Sequence, residues 1–172
     1  MSAWTLPKEV FFFLRRRLAP MSAVVELGSG EGTAALVEMF GRVHTVEHDE
    51  AFVGKVSGAH YIHAPIKGGW YDADALADLP PVFDCLVVDG PPGAIGRAGL
   101  VTRTRLWERG PVVIDDTHRR QERDMAAVIA HARNEAICFH HLPDARCFAT
   151  IGFPWALHPQ TVAALTTKGA SL

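Results

Sequence analysis

The stretch Ala23-Val24-Val25-Glu26-Leu27 runs straight into Gly28-Ser29-Gly30-Glu31-Gly32, and from there into the helix-patterned residues 33–40. A short apolar run closed by glycine predicts a buried strand. Glycines that follow predict a turn whose backbone takes positive φ and lets a ligand come close. The same alternation continues down the chain. Strands are predicted over 43–46, 60–63, 83–88, 111–114, 136–140 and 147–153, and helices over 7–18, 50–56, 74–79, 96–108 and 118–134. Residues 65–71 read as a loop rich in Gly and Pro. Strands separated by helices point to an α/β sandwich with a mostly parallel seven-stranded sheet and helices on both faces. The final two strands are joined only by a turn at Pro143-Asp144, so the last is expected to run antiparallel.

The 172 residues suit one domain, with no repeat, low-complexity tract or linker: an N-terminal helical segment 1–20, a core 21–153 and a low-pattern tail 154–172. Apolar residues make up 48% and charged residues 21%, which is ordinary globular usage and argues against disorder. With 17 Lys+Arg against 19 Asp+Glu, the chain lacks the basic excess of an extended nucleic-acid surface. Cys85, Cys138 and Cys147 form no CxxC pair and read as reduced thiols, two of them buried. The early apolar run Val10 to Leu14 is too short for a membrane span, and its arginines follow it instead of preceding it, unlike a signal peptide. The expectation is a cytoplasmic protein.

The glycine loop carries the first chemical clue. A dinucleotide fingerprint reads G-x-G-x-x-G, whereas here the third glycine comes one residue early. Glu26 and Glu31 flank the loop, where they would repel a pyrophosphate and favour a cationic ligand. Glu47 follows Gly28 by nineteen residues, at the end of the second strand, where a carboxylate accepts hydrogen bonds from both ribose hydroxyls. Together these residues point to a nucleoside ligand without phosphates.

Val25-Glu26-Leu27-Gly28-Ser29-Gly30-Glu31-Gly32, with Glu47 and the strand-terminal Asp89, resembles the class I S-adenosylmethionine-dependent methyltransferases, and the order of elements matches that Rossmann-like family over residues 20–153. The resemblance implies S-adenosylmethionine as cofactor, with contacts at Glu26, Gly28, Ser29, Gly30, Glu47, His48 and Asp89. It implies methyl transfer to a small-molecule acceptor, and the acids Asp89, Asp115 and Asp116 make a hydroxyl the preferred one. In the family, residues just after the third strand contact adenine; Ala64 and Ile66 stand there, without the acid that is common at that place. Trp70 or Tyr71 would stack on acceptor or adenine, or else pack their loop down.

Two further strand ends bear acids. Asp89-Gly90-Pro91-Pro92-Gly93 closes the fourth strand and Asp115-Asp116-Thr117-His118 the fifth. Asp89, Asp115 and Asp116 form an all-oxygen set suited to Mg²⁺, as in metal-dependent O-methyltransferases of the catechol type. Pro92 replaces the lysine base of that subgroup, which leaves His118 to take the proton, imidazole being suited to transfer near neutrality. Asp89, as a catalytic residue, would contact the methionine amino group, orient the acceptor or bind the metal. The alternative for Asp116 or Thr117 is to cap the long helix. Arg97, just past the prolines, is the best-placed residue for an anionic acceptor. With no cap or target-recognition segment read beyond the N-terminal helix, the acceptor site is expected to be either shallow or completed by a second subunit of a homo-oligomer. The alternative function is a non-catalytic methyltransferase-like module that binds a nucleoside or a partner.

Overall fold

The computed structural model describes residues 6–153. The expected tail 154–172, and the first five residues of the N-terminal segment, lie outside the described residues. The chain forms β1 (Ala23–Leu27), β2 (Arg42–Glu47), β3 (Ala59–His63), a two-stranded hairpin of β4 (Ile66–Lys67) and β5 (Trp70–Tyr71), β6 (Cys85–Val88), β7 (Val112–Ile114), β8 (Ile137–His141) and β9 (Cys147–Ile151). Its α-helices are α1 (Lys8–Arg17), α2 (Glu31–Met39), α3 (Thr104–Trp107) and α4 (Arg120–Arg133).

Seven strands make one sheet in the order β3-β2-β1-β6-β7-β9-β8. All neighbours pair in parallel except β9, which runs antiparallel to both β7 and β8. The short turn at Pro143 reverses the chain, and β9 inserts between β7 and β8. Alternate residues of β1, β6 and β7 face opposite layers, as the period of two along a strand requires. Val24, Cys85, Val87 and Val113 pack with Val10, Leu14 and Leu36 of α1 and α2. Val25, Leu27, Leu86, Val88 and Ile114 pack with Met125, Ala126 and Ile129 of α4 and with the hairpin residues Trp70 and Tyr71. Cys85 and Cys147 are buried and all three thiols are free. No helix among the described residues is long and apolar enough to cross a membrane.

Three expected helices are shorter than their sequence patterns suggest. Residues 50–56 hold only a 3₁₀ turn, Glu50–Phe52, because Gly54 turns to φ +77° and no residue of the turn is buried. Residues 74–79 likewise reduce to the 3₁₀ turn Ala75–Asp78. The span 96–108 splits into a 3₁₀ segment, Ala98–Thr102, and the single turn α3. Its break is set at Leu100, whose carbonyl accepts from Arg103 N at 2.8 Å and from the Trp107 indole at 2.9 Å. The loop expected at 65–71 carries the β4–β5 hairpin, turned at Gly68-Gly69 with φ of +64° and +86°.

Candidate active site

Parallel strands aim their C-terminal ends at one edge of the sheet, and the chain crosses to opposite sides of the sheet after β1 and β6, so a crevice opens between those strand ends. Gly28 leaves β1 at φ +93°, with its N–H on Val46 O at 2.9 Å. The loops after β1 and β6 meet there with no room for a side chain. A Cβ on Gly28 would stand 2.7 Å from Gly90 Cα, and one on Gly90 would stand 2.6 Å from Gly28 Cα.

Glu47 ends β2 beside this contact. Its Oε2 accepts from Ser29 N at 2.8 Å, and its Oε1 accepts from His48 N at 2.6 Å and Asp49 N at 2.8 Å. His48 Nδ1 lies 2.7 Å from the same Oε1. The carboxylate thereby ties the glycine loop to β2, and Oε2 keeps acceptor capacity for a further donor. Ser29 adds a hydroxyl contact with Tyr61 at 3.0 Å.

Glu26 is brought to the same place but lies beneath the loop, fully buried on β1. Its Oε2 accepts from Thr33 Oγ1 at 2.8 Å and from the Thr45 hydroxyl, while Thr33 Oγ1 accepts from Gly30 N at 3.0 Å. Burial pushes its carboxyl up to about 8, against the two threonine hydrogen bonds that lower it. At neutral pH Glu26 therefore supports the loop more as a protonated acid than as a negative charge.

The β6 and β7 ends hold Asp89, Asp115 and Asp116, with one oxygen from each lying within 4.8 Å of the others. Burial raises Asp89 to about 6, with Arg97 opposing, and raises Asp115 to about 7, with Asp89 and Asp116 adding to the rise. Arg97 is buried among them. Its Nη2 donates to Asp116 Oδ2 at 3.0 Å and to the Asp89 carbonyl, with Asp89 Oδ1 at 3.4 Å. Nη1 reaches Asp115 O at 3.0 Å, and Nε reaches Pro91 O at 3.3 Å. Arg119 Nη1 adds a second cation, 2.9 Å from Asp116 Oδ2.

These contacts correct two expectations. Arg97 is committed inward to acids and carbonyls and is not presented to an anionic acceptor. Neither Asp116 nor Thr117 caps α4: its N-cap is Arg119, with no side-chain cap, because Asp116 takes φ +59° and turns its carboxylate to the arginines. His118 is more exposed, with Nδ1 4.0 Å from Asp116 Oδ1. Of the residues expected near adenine, Ala64 is buried and donates its N–H to Glu47 O at 2.8 Å. The rings of Trp70 and Tyr71 pack together, edge-on at 5.2 Å, with Trp70 against Gly99, so neither ring is free to stack on a ligand.

Sequence reasoning grouped Asp89, Asp115 and Asp116 correctly but missed Arg97 as their common partner. The contact joins positions 8, 18 and 19 residues apart, and no local pattern marks it.

No protein-family model matches the sequence, and no curated protein does. Solved structures do match by shape. A precorrin-6y C5,15-methyltransferase from Geobacter metallireducens superposes with a TM-score of 0.64 at 14% identity, covering 88% of this chain and 92% of that one. An O-methyltransferase from Bacillus cereus, solved in complex with SAH, gives 0.60 at 12% identity over 87% and 83%. An rRNA methylase from Streptococcus thermophilus gives 0.55 at 15% identity over 84% and 94%. The fold of this chain is the class I S-adenosylmethionine-dependent methyltransferase fold.

Proposed function

We propose that this protein is an S-adenosylmethionine-dependent methyltransferase acting on a hydroxyl of a small molecule. The observation that carries this reading is the convergence, at one sheet edge, of the Gly28–Gly90 contact, the Glu47 carboxylate and Asp89. The residues fit a nucleoside with a cationic centre: a glycine-lined approach, a carboxylate with spare acceptor capacity, and acids in place of phosphate-binding lysines.

When bound, S-adenosylmethionine supplies a sulfonium methyl carbon open to in-line displacement. Gly28, Ser29 and Gly30 would line its approach, and Glu47, flanked by His48, would accept from its ribose hydroxyls. Asp89, at the end of β6 with its N–H on Leu27 O, would stand beside the methyl-bearing end. A carboxyl raised to about 6 is basic enough to take a hydroxyl proton near neutral pH. Arg97, bonded to the Asp89 and Asp115 carbonyls and to the Asp116 carboxylate, lies 3.4 Å from the Asp89 carboxyl and offsets the negative charge around it. His118 stands at the exposed rim, where it can pass the proton to solvent.

Arg97 already supplies a cation to the acid cluster, so this reading needs no metal. A second reading, Mg²⁺ held by Asp89, Asp115 and Asp116, is favoured by their 4.8 Å grouping and by Asp115 Oδ1, which is buried without a partner. A hydroxyl-acceptor screen with methyl-labelled S-adenosylmethionine, run with and without chelator, tests both. Transfer that persists in chelator and falls at least tenfold in Asp89→Asn supports the first reading. Transfer abolished by chelator and restored by Mg²⁺ supports the second. Nucleoside binding without transfer to any acceptor would favour a non-catalytic binding module.

A further inference from the structure

Tyr71, the last residue of β5, is completely buried, yet its hydroxyl has no hydrogen-bond partner. Buried hydroxyls are paired in the large majority of cases, because an unpaired one keeps the full cost of leaving water. This oxygen is not lost among apolar side chains. It lies against the Gly28–Gly90 contact, 2.5 Å from where a Cβ on Gly90 would stand. Glu47, Asp89 and Glu26 are close enough to act on it electrostatically, as is Arg97. Burial, aided by those carboxylates, lifts the phenol well above its ordinary value and keeps it neutral, able both to donate and to accept.

The hairpin holds the ring in place from its other residue. Trp70 is wedged against Gly99, where a Cβ would stand 2.4 Å from its Cγ, and the Arg103 guanidinium lies 5.8 Å from its ring centroid. Asp72 N donates to Pro65 O at 2.9 Å and closes the base of the hairpin. The phenol is thus positioned in advance, with its polar end turned to the junction of the two cleft loops.

We propose that Tyr71 is a ligand-binding residue of this cleft, its hydroxyl gaining a hydrogen-bond partner when the S-adenosyl nucleoside is bound. The inference rests on the methyltransferase reading above, and it separates the two roles a buried tyrosine can have. A packing tyrosine stabilises the free protein. A tyrosine waiting for a ligand costs the free protein stability and returns it on binding.

The test is calorimetric titration of wild type and Tyr71→Phe with S-adenosylmethionine and with S-adenosylhomocysteine, alongside thermal unfolding without ligand. Tyr71→Phe is expected to unfold at the same or a higher temperature and to bind about tenfold more weakly, the effect of one lost hydrogen bond. A loss confined to S-adenosylmethionine places the hydroxyl at the sulfonium. An equal loss for both places it on the parts they share. Equal affinity of wild type and variant for both nucleosides overturns the inference and leaves the methyltransferase reading intact. Failure of wild type to bind either one overturns both.

Discussion

On the β1–β2 side of the cleft the Glu47 carboxylate is held by backbone amides of Ser29, His48 and Asp49, whereas on the β6–β7 side the side chain of Arg97 reaches the Asp89 and Asp116 carboxylates and the Asp115 carbonyl. Two of the first set of donors come from the residues that directly follow Glu47, so the turn that ends β2 almost builds its own anchor. The second set depends chiefly on one buried guanidinium, which enters from the loop after β6 and joins it to the loop after β7, while the more exposed Arg119 assists at Asp116 alone. A wall made by backbone survives most substitutions. A wall made by one buried cation among acids fails with it.

The largest effect should therefore come from Arg97→Met, which leaves the cluster without its buried cation and Asp116 with Arg119 alone. We expect a loss of ~3–5 kcal/mol in denaturant unfolding, with Arg97→Lys falling between it and wild type. A loss below ~1 kcal/mol would show that the two walls do not differ in the way described. Next in size is Gly90→Ala, which forces a methyl against Gly28 Cα and the Tyr71 hydroxyl; ~1–3 kcal/mol of stability should go. Wild-type stability in that variant would mean that the loops part easily and that the contact is not a constraint.

Glu47→Ala sharpens the comparison from the other wall. It should weaken S-adenosylmethionine binding by roughly 1–3 kcal/mol while costing less stability than Arg97→Met, because the freed amides lie near the surface and water can pair them. Unchanged affinity in titration would remove Glu47 from the ribose site.

How far the two walls were legible follows from the same difference. The spacing from Gly28 to Glu47, and the apolar runs before each, are local signals, and the seven strands of the main sheet, its antiparallel last strand and the glycine loop appeared close to where expected. Arg97 was legible only as a nearby cation, since its partners are set by tertiary contacts. The three shortened helices carried apolar residues at helical spacing, but at Leu100 the Trp107 indole and Arg103 N–H compete for the carbonyl an α-helix would use. The β4–β5 hairpin did leave a trace. Gly68-Gly69 between Ile66-Lys67 and Trp70-Tyr71 is a two-residue hairpin signal, and reading it would have placed Tyr71 on a strand.

A smaller effect concerns pH. Glu26, Asp89 and Asp115 all have folded-state values above their ordinary ones, at about 8, 6 and 7. The folded state then holds more protons than the unfolded, so their contribution is full below about pH 4 and is lost as pH rises to about 8. The free protein's melting temperature should fall between pH 6 and 8.5, and Glu26→Gln should flatten that fall. A melting temperature that rises over this interval in wild type would contradict the account.

The central claim is that this edge of the sheet binds an S-adenosyl nucleoside. Calorimetric titration of the wild-type protein with S-adenosylmethionine, S-adenosylhomocysteine and NAD, each with and without Mg²⁺, tests it most directly. The account predicts micromolar binding of the two sulfur nucleosides, no binding of NAD and no change with Mg²⁺. Binding of NAD in preference to both, or of none of the three, would contradict it.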